Sequence, residues 1–161
     1  MADNIYPRSV ISILVENHYG VLARIASMFN RRSFNIDSIA ASETIDPGIT
    51  RITITVHCDQ NTLRQMLLQT ERLEEVKKVF LLSTDSLQRE LLLIKIECNP
   101  VILPALRDIA GVYKAKIIDL SPESLVMELT GKPEKIDGFL KMFGNYNVLE
   151  MCRTGITALD R

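Results

Sequence analysis

The sequence has few cysteines, and none of the three lies near another. Cys58, Cys98 and Cys152 are separated by at least 40 residues (58 to 98 and 98 to 152). A disulfide framework in a small secreted domain and a CxxC metal or redox motif both need regularly and closely spaced cysteines. We therefore expect reduced thiols and a cytoplasmic protein.

An excess of charge of one sign and a long apolar run are also absent. The 19 Lys and Arg nearly balance the 20 Asp and Glu, so no strong field attracts nucleic acid phosphates or anionic lipid. Apolar runs such as VISILV are far shorter than the ~18 residues of a membrane span. The amino-terminal MADNIYPRSV shows neither a secretory nor a transit-peptide pattern. These absences predict a soluble protein without nucleic acid or membrane partners.

Residues that commonly carry out catalysis are scarce. The sequence has only two histidines, His18 and His57, and contains no GxGxxG, Walker A, HExxH or GxSxG motif. His57 ends a predicted strand beside Cys58, and adjacent strand residues point to opposite faces. This position indicates an edge or surface histidine rather than a ligand. We expect no active site, no metal site and no cofactor of the chain's own.

What the sequence does contain is two successive stretches in which strand and helix periodicities alternate in the same order. The first stretch predicts a strand at 9–15, a helix from 21 that ends in a basic turn, strands at 34–42 and 50–56 around a turn at 46–48, a helix at 59–70 and a strand at 76–82. The second predicts a strand at 90–98, a helix beginning near Pro100, strands at 115–120 and 125–130, a helix at 132–143 and a strand at 148–154. Both orders are βαββαβ.

Two units of the same order, joined by a short polar connector, predict an α+β fold of two ferredoxin-like domains in tandem, at 8–83 and 84–161. RNA-binding modules share this order but need aromatic residues on the central strands, and aromatics are only 6% of this sequence. The pairs Glu74, Glu75 and Lys77, Lys78 alternate with apolar residues and predict solvated charges at the end of the first domain.

The loop after the first strand gives the strongest indication of a binding site. It runs from Glu16 to Gly20, and the first amides of the helix that follows have no internal partner and can hold a carboxylate. Gly20 leaves room for that group, while the amides of Asn17 and Asn35 supply donors and acceptors for a free amino acid. A simpler interpretation stays open at this point, in which Asn17 caps the helix, Gly20 turns the chain and Asn35 is an ordinary turn residue.

A longer stretch around this loop resembles a known family. ENHYGVLARIASMFNRRSFNIDSI, residues 16–39, is similar to the ACT-domain pattern ENxxGVLxRIxxLFxRRGxNIxSL of the small subunit of acetohydroxyacid (acetolactate) synthase. DPGITRITITV, RELLLIKI, KAKIIDLSPESLVMELTG, KIDGFL and EMCRTGITAL also resemble that family, so the resemblance covers nearly the whole chain. Ser33 departs from it, because the family usually has glycine there. A positive φ at Ser33 would cost free energy and would reshape the turn before Asn35.

The resemblance implies a non-catalytic regulatory subunit whose first domain is an ACT domain and forms a homodimer. By the family pattern, valine or another branched-chain amino acid binds where two ACT domains meet side by side. The implied effector-binding residues are Asn17, Gly20, Val21 and Leu22 of one chain with Asn35 and Ile36 of the other.

The implied partner is the catalytic large subunit, which would use thiamine diphosphate, Mg and FAD. The small subunit would raise its activity and confer feedback inhibition by the effector. A stand-alone ACT-domain amino-acid sensor, regulating another enzyme or transcription, is the alternative.

Overall fold

The computed structural model describes residues 6–161 and confirms an α+β architecture of two βαββαβ units. Residues 1–5, part of the amino-terminal segment MADNIYPRSV, lie outside the described residues. Across residues 6–161, no helix has both the length and the apolar composition to cross a membrane.

In the first unit, four antiparallel strands form one sheet in the order β2-β3-β1-β4. The elements are β1 (Arg8–Glu16), α1 (Val21–Arg31), β2 (Ser38–Glu43), β3 (Ile49–His57), α2 (Gln60–Glu71) and β4 (Val76–Leu81). Alternate residues of β1, Ile11 and Ile13, are buried in one core cluster with Ile25 of α1 and Met66 of α2. Both helices therefore cover the same face of the sheet, and β2 is left at one edge.

The strand β2 begins at residue 38 rather than at the predicted residue 34, because α1 ends in a Schellman motif. Ser33 has a φ of 55°. The Phe34 N–H donates to the Phe29 carbonyl over 3.0 Å, and the two phenyl rings meet edge to face with centroids 5.8 Å apart. Residues 34–37 consequently form a short loop between α1 and β2.

The second unit repeats this pattern with the strand order β6-β7-β5-β8. Its elements are β5 (Leu87–Glu97), α3 (Leu103–Tyr113), β6 (Lys116–Leu120), β7 (Ser124–Gly131), α4 (Pro133–Lys141) and β8 (Val148–Arg153). The helix α3 begins later than predicted, since Asn99 Oδ1 accepts hydrogen bonds from the amides of Val101 and Ile102 and forms a turn first. Leu106 and Phe139 pack on Ile94 in the core of this unit.

The last residues of the chain return to the first unit, which the sequence did not indicate. The first unit runs through Leu87 and also takes up Ile156–Arg161, while the second is Gln88–Gly155. This division differs from the predicted domains at 8–83 and 84–161. A short strand, β9 (Thr157–Leu159), carries Ala158 into a buried cluster with Ile156, Val10 and Leu82. A segment of three residues is too short to show the alternating pattern that predicts a strand.

Candidate functional site

Asn17 follows β1 directly and is tied to the turn between β2 and β3. Its backbone N–H donates to the Gly48 carbonyl over 2.8 Å. Its side-chain Nδ2 donates to the Pro47 carbonyl over 2.9 Å and lies 3.4 Å from Glu43 Oε1. Asn17 therefore does not cap α1. The simpler interpretation of the sequence, in which it caps this helix, is wrong for Asn17. With Nδ2 held in this way, Oδ1 is the atom of the amide suited to receive a donor from a ligand.

Gly20 is the N-cap residue of α1 and has a φ of 89°, a backbone conformation that favours glycine. No side chain among the described residues forms a cap hydrogen bond to this helix. A Cβ at Gly20 would meet no atom within 4 Å, so the space outside the first turn is open. Val21 is buried, whereas Leu22 is 48% exposed beside the free amides. This end of α1 has the chemistry of an anion site.

Asn35 and Ile36 lie in the loop between α1 and β2. The Asn35 side chain is exposed, and Ile36 is partly buried against the core of the first unit. On one side the loop is held by the Schellman motif at Ser33. On the other side, the Asp37 N–H donates to the Thr55 carbonyl over 2.9 Å. The loop thus presents Asn35 outward between two fixed points.

Within one chain, the predicted site residues form two groups that lie apart. Asn17, Gly20 and Leu22 lie where β1 ends and α1 begins, whereas Asn35 and Ile36 lie beyond the far end of α1. The 11 residues of α1 span about 16 Å. A free amino acid is too small to contact both groups of the same chain.

Two ion pairs border the site, Arg24 with Glu75 and Lys77 with Glu16, and the first of them corrects a prediction. The Glu75 side chain is only 7% exposed and accepts a hydrogen bond from Arg24 of α1, so Glu75 is not a solvated charge. The Glu75 carbonyl also accepts the Glu16 N–H over 3.0 Å. Hydrogen bonding and charge from Lys77, with a further contribution from His18, hold the pKa of Glu16 below its ordinary value. Both pairs fix the strand end that carries Asn17.

A contact that the sequence did not predict involves His57. Its Nδ1 lies 2.8 Å from Asp37 Oδ2, and the two side chains are 17% and 27% exposed. His57 ends β3, which lies between β2 and β1 in the sheet, and it is partly buried rather than fully solvated. The only indication in the sequence was that both residues border predicted strands, and such a position does not identify a partner 20 residues away. Among the described residues, no group of His, Cys, Asp and Glu is arranged to hold a metal ion.

The antiparallel βαββαβ unit, with a first helix that starts at a positive-φ glycine, has the architecture expected of an ACT domain, and a family match assigns the first unit to that class. Residues 11–78 match the family described as "AHAS small subunit-like ACT domain", and residues 89–161 match "Small subunit of acetolactate synthase".

Relatives match over nearly the full chain. An acetolactate synthase small subunit of Mycolicibacterium smegmatis is 36% identical over 156 residues, with 96% of this chain and 92% of the relative covered. The Bacillus subtilis protein of the same name is 35% identical, with 96% and 91% covered. The crystal structure of the acetolactate synthase small subunit from Thermotoga maritima superposes with a TM-score of 0.88 at 34% identity, covering 96% of this chain and 98% of that one. This chain belongs to the family of acetolactate synthase small subunits.

Proposed function

We propose that this chain raises the activity of a catalytic acetolactate synthase subunit and confers feedback inhibition by valine or another branched-chain amino acid. The effector binds where two copies of the first unit meet. The observation that carries this proposal is the separation of the two groups of site residues, because only a second copy can unite them.

The free edge of the first sheet supports the pairing. Its edge strand β2 runs from Ser38, three residues after Asn35, to Glu43, whose carboxylate lies near Asn17. If two β2 strands pair antiparallel about a two-fold axis, the start of β2 in each copy lies beside the end of β2 in the other. Asn35 of one copy then approaches the Asn17 and Gly20 of its partner, and two equivalent sites form at one interface.

The two groups supply complementary chemistry for a small amino acid. The free amides at the start of α1 bind the effector carboxylate, with help from the helix dipole. Asn17 Oδ1 accepts from the ammonium group, and Asn35 of the other copy adds a donor or an acceptor. Leu22 and Ile36 offer apolar contact to a branched side chain. One methylene distinguishes valine from leucine and is worth only about 0.8 kcal/mol, so the site discriminates weakly among these effectors.

A site shared by two chains allows the effector to change how the dimer is arranged. A ligand held by two chains binds one arrangement of the dimer better than another, and it stabilises that arrangement by the difference. Couplings of this kind are typically about 1 to 3 kcal/mol, roughly 5- to 150-fold. The catalytic subunit, with thiamine diphosphate, Mg and FAD as its cofactors, would carry out the reaction, and this chain would hold none of them.

Gly20→Asp tests the site, with Gly20→Asn as its matched control. Both side chains tolerate a positive φ better than most, and they have nearly the same size. The Asp carboxylate would repel the effector carboxylate. We expect Gly20→Asp to abolish valine binding in calorimetry and valine inhibition of acetolactate formation, while activation of the catalytic subunit persists. Gly20→Asn should retain more affinity than Gly20→Asp. Unchanged valine affinity in Gly20→Asp would refute the site.

Mixing the purified chain with a catalytic acetolactate synthase subunit, with and without valine, tests the role in regulation. We expect faster acetolactate formation without valine and suppression of that gain with it. If the chain binds valine but neither associates with nor activates the catalytic subunit, it is a stand-alone ACT-domain sensor instead.

A further inference from the structure

We infer that His57 is a positioning residue for the effector site: its imidazole holds Asp37 and thereby fixes the loop that presents Asn35. The inference rests on the proposed function, in which Asn35 and Ile36 form half of that site. His57 itself lies at the end of β3 and does not contact the effector in this arrangement.

The loop has very little chain between its two fixed points. Phe34 is fixed through its N–H bond to Phe29, and Asp37 is fixed by the bond from its N–H to the Thr55 carbonyl. Asn35 and Ile36 are the only residues between them. The Asp37 backbone bond sets the position of the main chain, while the 2.8 Å contact to His57 Nδ1 sets the side chain. Removal of the imidazole therefore loosens one end of a four-residue loop without removing its backbone anchor.

Other charged groups near His57 do not replace Asp37 as its partner. The Asp59 carboxylate already accepts from the amides of Asn61 and Thr62 and from the Thr62 hydroxyl at the start of α2. Arg8 lies directly across from His57 in the β1–β3 ladder and cannot accept a hydrogen bond. Cys58 follows in the chain, and burial together with the charges of Asp59 and Asp37 raises the pKa of its thiol, so it stays neutral.

This contact links effector affinity to how firmly the loop is held. An imidazole with its proton on Nδ1 donates to the Asp37 carboxylate. A better-held loop is more often competent to bind, and affinity scales with that fraction. Loss of the imidazole should therefore weaken valine binding.

Calorimetry of L-valine binding to the full chain tests the inference with three variants. We expect His57→Ala to weaken binding about tenfold. His57→Asn should recover most of the affinity, because its Nδ2 donates from nearly the position of Nδ1. Asp59→Ala removes the α2 cap without touching the loop, and it serves as a control for general loss of stability.

The outcomes separate this inference from the proposed function. If the unaltered chain binds valine and His57→Ala binds it equally well, the positioning role is refuted and the effector site stands. Equal weakening by Asp59→Ala, or failure of a folded His57→Asn to recover affinity, would also refute it. If the unaltered chain binds no valine at all, the proposed function fails and this inference fails with it.

Discussion

Ser33 bears a conformation that its side chain disfavours. It is the residue after the C-cap of α1 and has a φ of 55°, where an L-amino acid is less stable than glycine by about 1 to 2 kcal/mol. The Schellman hydrogen bonds and the contact between Phe29 and Phe34 hold it there. Ser33 therefore holds a turn conformation that favours glycine, at a cost in stability.

Ser33→Gly should therefore stabilise the first unit. We expect a gain of about 1 kcal/mol in the free energy of unfolding, or a Tm higher by about 3 °C, since the gain from relieved strain exceeds the entropy lost by glycine. Ala26→Gly is the matched control, because it places glycine in the middle of the same helix and should cost about 1 kcal/mol. Calorimetric unfolding of both variants gives the comparison, and a loss of stability in Ser33→Gly would contradict the strain.

Other features at this scale were only partly predictable. Asn17, Gly20 and Asn35 were singled out for the donors and acceptors of their amides and for the room that glycine leaves. Gly20 turns the chain at a positive φ and has open space beside it, as expected. The simpler interpretation of Asn17 as a helix cap is wrong, because Asn17 holds the turn at Pro47. Hydrogen-bond partners such as Asp37 and His57 depend on how strands align in three dimensions, which periodicity does not encode.

The strands and helices themselves followed their periodicity closely, and the exceptions have local causes. Alternating residues in β1 and β3 predicted both strands to within two residues. The helix α3 started late because Asn99 formed a turn, and β2 started late because Ser33 reversed the chain. Both are side-chain or backbone effects at a single residue that shift an element boundary. The strand β9 was missed because nothing in three residues distinguishes it from a tail.

The return of the chain to the first unit through β9 can be tested by a substitution at Ile156. Its side chain is 2% exposed and buried with Val10 and Leu82. Ile156→Ala should cost about 3 kcal/mol of unfolding free energy, as expected for a large residue removed from a packed core.

Hydrogen exchange shows where the loss falls. Amides of β1, near Val10, should exchange faster in Ile156→Ala, while those of the β5–β7 ladder at Ile94 and Met127 keep their protection. Leu159→Ala, at a side chain that is 54% exposed, is the control and should change stability by less than about 0.5 kcal/mol. Faster exchange confined to the β5–β7 ladder would place the segment with the second unit instead.

At the scale of the whole molecule, the doubled βαββαβ order was predictable because each unit buries its own alternating residues. The way in which two chains associate was not predictable from periodicity, since an edge strand has the same sequence pattern whether or not it has a partner. The proposed assembly makes β2 of each copy the partner of the other. A two-fold axis leaves each face of the sheet unchanged, so the antiparallel pair must be centred on a residue that lies opposite its own copy. We place that centre at Ala41, in the middle part of Ser38–Glu43.

Ala41→Glu tests this assembly, because Ala41 is exposed in the single chain and a carboxylate there is harmless to the fold. Across a two-fold axis, the two new carboxylates would lie close together, and like charges opposite each other in a sheet are destabilising. We expect sedimentation equilibrium to show a shift from dimers toward single chains, with an unchanged far-ultraviolet dichroism spectrum. Valine binding should weaken in parallel, since each site needs residues from both copies.

Ala41→Ser is similar in size and uncharged, so it should remain dimeric and bind valine. Because salt screens exposed charges, added salt should partly restore the Ala41→Glu dimer. A variant that stays dimeric at low salt, or one that dissociates but binds valine with full affinity, would exclude an effector site built across paired β2 strands.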